Sequence, residues 1–477
     1  MKTILDHTKL HQKYFEEMTQ IPHGSYHEEA ISNYLVAFAK AQGLRYIQDD
    51  MFNVIIYKEA SSGYEDHEPL VLQAHMDMVC EKNKDSVHDF EKDPLSLRIV
   101  DGWLMANHTT LGADDGCGVA YMLAILSDDT LKHPRLECIF TVQEEVGLCG
   151  VLHLKKDQFD ATRMINLDDE SGYATCTTSA GGMNVLLDKE IIRIQEKMDG
   201  YRLSIKGLAG GHSGAEIDKE RGNANKLLVR ILYGIMQHFG LQLAQLKGGL
   251  MDNAIPREAS ALWISDGNSE KIEAYVKAMA ADIKKELEFS DAGVQVILEK
   301  TQIDSYVSVE ESEAILKLMM LLPDGLRHHS MSIEGLSTAS SNVGVVHMDD
   351  KMLHINCSLR GALESYIDEF AAQIDTLAEL FGFTTRHVAR YPAWSYDANS
   401  QMRETMKEIC KELTGKDLGI MATHGGLECG VFKSLKPEMD IVTLGPVMKD
   451  IHTPKEALQL SSFDDTYAFL TAFIQRL

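Results

Sequence analysis

The sequence predicts an α/β fold with a largely parallel sheet, interrupted by an inserted α+β domain. In the first part of the chain, short apolar runs alternate with segments of helical length, which is the pattern of parallel βαβ units. Several of these runs end in carboxylates or histidine, and ligand-binding groups gather at such strand ends in open α/β sheets. At 477 residues the chain is too long for one ordinary core, so a second domain is expected.

The composition is that of a soluble globular protein and argues against two classes of partner. Hydrophobic residues make up 44% of the chain and charged residues 25%. The 72 acidic and 46 basic residues give a net charge of -26, which repels nucleic acid and anionic membranes. We therefore expect neither nucleic acid nor a membrane as a partner.

Cysteine usage and the N-terminal segment predict a cytoplasmic protein. The 8 cysteines include no Cys-Xaa-Xaa-Cys pair, and scattered single cysteines are typical of reduced thiols. Residues 1–7 lack the apolar core of a signal peptide, and no stretch approaches the roughly 20 apolar residues of a membrane span.

The first predicted domain covers residues 1–182. Its first clear helix begins after Ser25 and Glu28, which have the spacing of a capping box and precede apolar residues that recur on one face. The Gly-rich segment 111–118 is expected to be a turn, with a helix at 119–126 after it. Apolar runs predict strands at 53–57, 70–73, 137–142 and 164–167.

The inserted domain, residues 183–391, is expected to be α+β with two similar halves, although no convincing sequence repeat relates them. The first half is predicted from strands at 201–205, 259–264 and 294–298 and helices at 223–239 and 269–288. The second half is predicted from helices at 312–322 and 365–381 and strands at 341–346 and 352–359. Residues 392–477 return to the style of the first domain.

The pair His75 and Asp77 is the first candidate for a functional site. The strand at 70–73 ends there, so both side chains would lie at the C-terminal edge of a central strand. A neutral His75 imidazole could bind a metal, and Asp77 is spaced to hydrogen-bond the other ring nitrogen. His-Xaa-Asp arises easily by chance in a chain with 19 histidines, so a metal site needs further ligands.

Five residues that follow predicted strands or lie in turns fit a site for two divalent ions. Such a site needs one bridging carboxylate, further nitrogen or oxygen ligands on each ion, and room for a water. The candidates are His75, Asp114, Glu145, Asp168 and His452. The neighbours Asp115 and Asp169 stay open as alternatives to Asp114 and Asp168.

The order of these residues resembles that of the dinuclear zinc aminopeptidase, aminoacylase and carboxypeptidase superfamily. Its ligands run His, Asp, Glu, Asp or Glu, His, with an Asp two residues after the first His and a Glu before the third ligand, matched here by Asp77 and Glu144. Segments 111–116, 253–258 and 424–429 resemble the aminoacyl-histidine dipeptidase branch, the PepD-like or cytosolic non-specific dipeptidases. The resemblance covers essentially the whole chain.

The resemblance implies a zinc-peptidase-like catalytic domain, residues 1–182 and 392–477, and a lid, residues 183–391. One divalent ion would be held by His75, Asp114 and Asp168, and the other by Asp114, Glu145 and His452. The resemblance favours Asp114 as the bridge, since the family's bridging Asp directly follows the residue that Ala113 matches. Glu144 would be the general base and Asp77 the partner of His75. The expected ions are Zn²⁺, with Mn²⁺ or Co²⁺ as alternatives.

The resemblance also implies residues that contact a substrate. His212 matches a lid His that stabilises the tetrahedral oxyanion, and Asn253 and Arg360 match residues that bind the C-terminal carboxylate of a peptide. Gly426 and Glu428 match a loop near the second ion, where Glu428 would pair with the free amino group.

The implied function is a metal-dependent dipeptidase that cleaves short peptides and favours Xaa-His dipeptides such as β-alanyl-histidine. An aminoacylase or deacylase with the same site, and a catalytically silent metal-binding homologue, are the alternatives. Glu144 favours an enzyme, because silent relatives tend to lose the base or a ligand. We expect a homodimer formed through the lid.

Overall fold

The computed structural model describes residues 3–331 and 333–477. It divides into two compact units. Unit 1 consists of Met1–Ser179, Trp394–Ala422 and Leu427–Leu477, and unit 2 consists of Ala180–Ala393 and Thr423–Gly426. The functional assignment of residues 183–391 as a lid and dimerisation domain stays a prediction.

Helices and strands are interspersed along the described part of the chain. The helices are α1 Leu10–Met18, α2 Glu29–Ala41, α3 Ala113–Ser127, α4 Cys149–His153, α5 Ala224–Phe239, α6 Ser269–Glu286, α7 Val309–Leu321, α8 Glu364–Phe381, α9 Gln401–Thr414, α10 Cys429–Leu435 and α11 Leu460–Arg476. The strands are β1 Arg45–Gln48, β2 Val54–Lys58, β3 Leu70–His75, β4 Leu97–Val100, β5 Trp103–Ala106, β6 Leu136–Thr141, β7 Arg163–Asn166, β8 Ala174–Cys176, β9 Gly181–Glu190, β10 Arg193–Lys206, β11 Gly211–His212, β12 Gln242–Gly248, β13 Ala254–Ile255, β14 Ala259–Ile264, β15 Gln295–Val307, β16 Gly325–His329, β17 Ser337–Met348, β18 Met352–Gly361, β19 Thr384–Tyr391, β20 Gly419–Met421, β21 Asp440–Thr443, β22 Met448–Lys449 and β23 Ala457–Gln459. None of the helices in this part of the chain combines the length and apolar character needed to span a bilayer.

The main sheet of unit 1 has the strand order β1-β2-β6-β3-β7-β21. Strands β6, β3, β7 and β21 run parallel, whereas β1 and β2 pair antiparallel at one edge. Every residue of β3 is buried, as expected for a central parallel strand covered on both faces. The sheet is therefore mixed but mostly parallel, in agreement with the sequence.

Helix α3 packs directly onto the C-terminal part of the central strands. Its residues are buried on nearly all sides, as in a helix at the centre of a large core. Gly118 permits this approach, because a Cβ there would lie 2.7 Å from the Cβ of Leu167 and 2.9 Å from that of Ala74. The segment that precedes Gly118 is thereby held against the strand ends.

Several local expectations for unit 1 were wrong. Helix α1 and the β4–β5 hairpin were not predicted, and the predicted helix at 119–126 is part of the longer α3, whose backbone is non-helical at Asp114 and Asp115. The capping box at the start of α2 is absent: Glu28 is the N-cap without a side-chain cap bond, and Ser25 donates instead to Asp77. The Ser25 hydroxyl thus bonds to a residue distant in sequence, and the spacing of Ser25 and Glu28 alone does not reveal this partner.

Unit 2 contains two sets of elements with the same topology. The first set is β10-α5-β12-β14-α6-β15, and the second combines β9 with α7-β17-β18-α8-β19, so each reads β-α-β-β-α-β. Their strand orders are β15-β10-β14-β12 and β19-β9-β18-β17, and the two sets join antiparallel through β12 and β17. The two sets thus share one topology, although β9 precedes the first set in the chain and belongs to the second.

The helices of unit 2 form a second core with this sheet. Neighbouring helices contact one another in the order α6, α5, α7, α8. Helices α5, α6 and α8 pack against strands of their own set, whereas α7 packs against β12 of the first set. The buried side chains between these layers form a hydrophobic cluster that lies entirely within unit 2. Unit 1 has its own cluster around α3 and the main sheet.

Candidate metal centre

The candidate ligands of unit 1 gather at one edge of the main sheet. Parallel strands β3, β6, β7 and β21 present their carboxyl ends at the same edge, where ligand-binding groups are expected. His75 is the last residue of β3, Glu145 lies in the turn after β6, and Asp168 follows β7. Asp114 lies at the start of α3, and His452 lies between β22 and β23.

His75 and two aspartates form the first group. The Nε2 atom of His75 lies 3.0 Å from Oδ1 of Asp114 and 3.9 Å from Oδ1 of Asp168. Candidate ligand atoms from these three side chains all lie within 4.8 Å of one another, so they could share one ion.

Asp114 also belongs to a second group, with Glu145 and His452. The Nε2 atom of His452 lies 3.1 Å from Oδ2 of Asp114 and 2.9 Å from Oε1 of Glu145. The two carboxylate oxygens of Asp114 therefore face different histidines, which is the arrangement expected of a carboxylate shared by two ions. A third group in the described part of the chain consists of His75, Glu144 and Glu145.

The alternative aspartates make other contacts. Oδ1 of Asp115 accepts a hydrogen bond from the backbone N of Gly118 at 3.1 Å. The Asp169 carboxylate accepts from the Ser171 backbone at 2.9 Å and from the Thr443 hydroxyl. Neither aspartate belongs to the three groups found among the described residues.

The electrostatics of these groups fit a cation. Burial raises the pKa of Glu144 and of Asp168 well above the ordinary carboxyl range. Burial would also raise the pKa of Asp114, but hydrogen bonds with two histidines lower it. Hydrogen bonds with two carboxylates raise the pKa of His452 to about 10. Carboxylates outnumber histidines here, so a divalent ion would relieve their repulsion, and this nitrogen and oxygen donor set suits Zn²⁺, Mn²⁺ or Co²⁺.

Asp77 holds the turn that carries the two glutamates. The Nδ1 atom of His75 donates to the backbone O of Asp77 at 3.0 Å, whereas the Asp77 carboxylate is 3.5 Å away. That carboxylate accepts from the backbone N of Glu144 at 3.1 Å and of Glu145 at 3.4 Å, and from Ser25 Oγ at 2.8 Å. Asp77 thus orients the His75 ring through its backbone and the glutamate turn through its side chain.

Two buried glutamates that the sequence analysis did not single out for the site support its loops. Glu28 accepts from the backbone N of Gln143 at 3.1 Å. Glu456 accepts from the backbone N atoms of three consecutive residues, 111 to 113, directly before Asp114. Contacts from a side chain to a distant backbone leave no spacing signal, so sequence reasoning had no means of finding them.

Glu428 also belongs to unit 1, and its side chain is fully buried. Its carboxylate accepts from Thr141 Oγ1 at 2.9 Å and from the Gln73 side chain. Burial raises the pKa of Glu428 to about 7. The expected contact with a substrate amino group stays a prediction.

The other predicted substrate-binding residues belong to unit 2. His212 pairs with Ala254 in the β11–β13 ladder, and its Nδ1 accepts from the backbone N atoms of Gly214 and Ala215. In the neutral ring, Nε2 therefore carries the hydrogen and is a donor. His212 and Asn253 both line a cavity of about 980 Å³.

Arg360 and Gly426 meet the same tyrosine. The Arg360 side chain is buried on β18, and its NH1 donates to the Tyr391 hydroxyl at 3.0 Å. Gly426 lies against the Tyr391 ring, since a Cβ at Gly426 would be 2.6 Å from a ring carbon. Gly214 also packs on the Arg360 guanidinium, which brings the segment after His212 next to Arg360.

Comparison with known proteins connects this chain to metallopeptidases. The sequence profile of Peptidase family M20/M25/M40 matches residues 71–476. The cytosol non-specific dipeptidase of Escherichia coli (strain K12) is 37% identical over 469 residues, which covers 97% of this chain and 96% of that protein. The aminoacylhistidine dipeptidase of Vibrio alginolyticus is similar in structure, with a TM-score of 0.87, 33% identity and coverage of 99% and 97%. The aminopeptidase PepT of Bacillus cereus ATCC 10987, at 15% identity and a TM-score of 0.55 over 99% of both chains, shares the fold.

Proposed function

Because the chain belongs to peptidase family M20/M25/M40, we propose that it is a cytoplasmic, metal-dependent dipeptidase that hydrolyses short peptides. The observation that carries the proposal is the pair of candidate metal groups that share Asp114, with Glu144 beside them. The names of the relatives from Escherichia coli and Vibrio alginolyticus support a dipeptide substrate.

Each proposed ion has three ligands in this chain. His75, Asp114 and Asp168 would hold one ion, and Asp114, Glu145 and His452 would hold the other. We propose Zn²⁺ at both positions, with Mn²⁺ and Co²⁺ as the other candidates, because all three accept imidazole and carboxylate ligands. When bound, the ions lower the pKa of a water and polarise the substrate carbonyl.

Glu144 moves the proton in this mechanism. It lies in the group with His75 and Glu145 but is a ligand of neither proposed ion, so a carboxylate oxygen stays available as a base. Glu144 takes the proton of the attacking water and delivers it to the nitrogen of the leaving amine. Asp77 fixes the position of this base through the backbone N of Glu144.

Residues of unit 2 bind and orient the substrate in this proposal. The Nε2–H of His212 donates to the oxyanion of the tetrahedral intermediate. Arg360 and Asn253 bind the C-terminal carboxylate, for which the planar guanidinium fork is well suited. The loop with Gly426 and Glu428 contacts the amino-terminal side of the substrate.

The finer proposals concern preference and assembly. We propose that Xaa-His dipeptides, including β-alanyl-histidine, are preferred, which is supported by the name of the Vibrio alginolyticus relative. We also propose a homodimer through residues 183–391, and no nucleic acid or membrane partner, as the net charge of -26 favours.

The test compares hydrolysis of β-alanyl-histidine, glycyl-histidine, leucyl-glycine and an N-acetylated amino acid by metal-stripped and zinc-reconstituted protein. We expect turnover of the free-amine dipeptides only after zinc is returned, with the His-containing dipeptides fastest. Cleavage of the acetylated compound alone would instead identify an aminoacylase. Zinc binding without turnover of any substrate would contradict the proposed activity.

A further inference from the structure

Glu456 connects two segments that carry candidate ligands but are far apart in sequence. Its carboxylate accepts hydrogen bonds from the backbone N atoms of Leu111 at 2.6 Å, Gly112 at 3.1 Å and Ala113 at 2.7 Å. The side chain is buried, with 3% of Glu456 exposed. Three backbone donors converging on one buried carboxylate make a strong, directional contact.

Each partner in this contact leads directly to a candidate ligand. Asp114 follows Ala113 without an intervening residue, and Glu456 lies four residues after His452 in the same loop. The backbone N of Glu456 donates to the O of Thr453 at 3.0 Å, so the loop closes back toward His452. The position of one carboxylate therefore sets the separation between the Asp114 turn and the His452 loop.

His452 is held less firmly by its surroundings than His75, although the β22–β23 pairing closes the loop that carries it. The His452 side chain is 46% exposed, and its backbone has a positive φ of 61°. His75, in contrast, is 1% exposed at the end of a buried strand, with Nδ1 donating to the Asp77 backbone. His75 is buried within a strand, whereas His452 lies outside the strands and is about half exposed.

We propose that Glu456 is a positioning residue that fixes His452 against Asp114 and thereby sets the affinity for the ion held by Asp114, Glu145 and His452. The inference rests on the proposed function, because it assumes that this group binds an ion. It adds that the histidine ligands of the two ions are secured differently: His75 ends the buried strand β3, whereas the loop of His452 is fixed to the Asp114 turn by the Glu456 carboxylate.

Glu456→Gln tests the clamp with little change in volume. The amide places an N–H group where the three backbone N–H groups need an acceptor, so the contact with residues 111–113 is weakened. Glu137→Gln is the matched control in unit 1. Glu137 is also a buried carboxylate that accepts backbone N–H bonds, from Asp160 at 3.0 Å and Ala161 at 3.0 Å, but it lies at the opposite end of β6 from the glutamate turn.

The measurement is a zinc titration of the metal-stripped proteins against a competing chelator, with ion content and melting temperature of the metal-free form recorded for each. We expect the wild type to bind two ions. In Glu456→Gln the ion held by Asp114, Glu145 and His452 should lose affinity by about 10- to 100-fold, as is common when a group that orients a ligand is changed. The ion held by His75, Asp114 and Asp168 should change by less than this, and Glu137→Gln should bind both ions like the wild type.

Four outcomes would overturn the inference. Wild-type affinities for both ions in Glu456→Gln would show that no clamp operates, and equal losses in Glu456→Gln and Glu137→Gln would show a general effect of destabilisation. Fewer than two ions in the wild type would instead contradict the proposed two-ion site, and the inference with it. If Glu456→Gln does not fold, Glu456→Asp is the second variant, because it keeps the charge on a shorter side chain. It should selectively lower the affinity for the same ion. Wild-type affinity in Glu456→Asp would overturn the inference.

Discussion

Glu144 is the residue whose proposed role is most easily separated from metal binding. It lies beside the candidate ligands but belongs to neither proposed ligand set. We predict that Glu144→Gln lowers kcat for glycyl-histidine by about 10²- to 10⁴-fold, because a positioned general base contributes that much to the rate. Zinc content should stay at the wild-type value. Glu145→Gln serves as the matched neighbour, since it should reduce zinc content as well as rate, and zinc loss in Glu144→Gln would contradict the assignment.

His424 should make unit 2 sensitive to acid. Burial, together with the positive charges of Arg360 and His212, lowers the pKa of His424 to about 3 from its ordinary 6.5. The unfolded chain therefore takes up a proton at His424 below pH 6.5, while the folded chain does not until the pH approaches 3. The native state loses stability as the pH falls through this window, by about 2 kcal/mol between pH 6.5 and about pH 5.

The variant His424→Gln isolates this contribution. The Gln side chain can still meet the Ser340 hydroxyl, which lies 2.7 Å from Nε2 of His424, but it has no proton to gain in this range. Urea unfolding at neutral pH and at about pH 5 should show a drop in the free energy of unfolding that is about 2 kcal/mol smaller in the variant. Equal drops in the two proteins would show that His424 does not cause the acid sensitivity.

At the level of elements, a lysine closes the C-terminal end of helix α7. Lys226 Nζ, on α5, donates to the backbone O of Met319, Met320 and Leu322, at 2.7, 3.1 and 2.7 Å. We predict that Lys226→Met lowers the free energy of unfolding by about 1–3 kcal/mol, because these carbonyl groups lose a charged donor. Chemical denaturation measures the change.

A control for that variant is available on the neighbouring helix. Lys277 is exposed on α6, and Lys277→Met should change the free energy of unfolding by less than about 0.5 kcal/mol, as is usual for exposed positions. An equal effect of the two substitutions would contradict the capping role of Lys226.

Elements with strong patterns were predicted, and those that depend on distant contacts were not. The apolar run that forms β3 and the amphipathic run that forms α2 are visible in the sequence, and so is the alternation that gives a mostly parallel sheet. The short exposed strand β4 carries no such pattern, because its outward positions are tolerant of any residue. Ser25 has the spacing of a cap but bonds to Asp77, and only the folded chain decides between those partners.

The candidate site shows the same division. Residues at strand ends and in turns were visible as candidate ligands from their types and order, helped by the resemblance to a family. The clamp at Glu456 was invisible, because it is made to backbone N–H groups that any sequence at residues 111–113 other than proline would supply. Candidate ligands can thus be recognised from their residue types. The contacts that support them depend on how the folded backbone brings distant segments together, which the sequence does not show.

At the scale of the whole molecule, separate cores predict separable unfolding. The two hydrophobic clusters lie within unit 1 and unit 2, respectively, and the candidate ligands all belong to unit 1. Chelation of the metal should therefore lower the melting temperature of unit 1 by roughly 10 °C, since a bound ion at about 1,000 times its Kd adds about 4 kcal/mol.

Differential scanning calorimetry with and without a chelator checks this prediction. The transition of unit 2 should stay in place, and return of zinc should restore that of unit 1. A shift of both transitions by the same amount, or of neither, would contradict the assignment of the metal site to unit 1.

The pairing of β12 with β17, which joins the two halves of the unit 2 sheet, has a kinetic consequence. Both halves of the unit 2 sheet belong to one polypeptide, so each meets the other at an effective concentration fixed by the intervening chain. Completion of this sheet is consequently a first-order event, and dilution cannot separate its halves. Even at a very low concentration of the protein in a cell, β12 and β17 would therefore stay paired in every molecule.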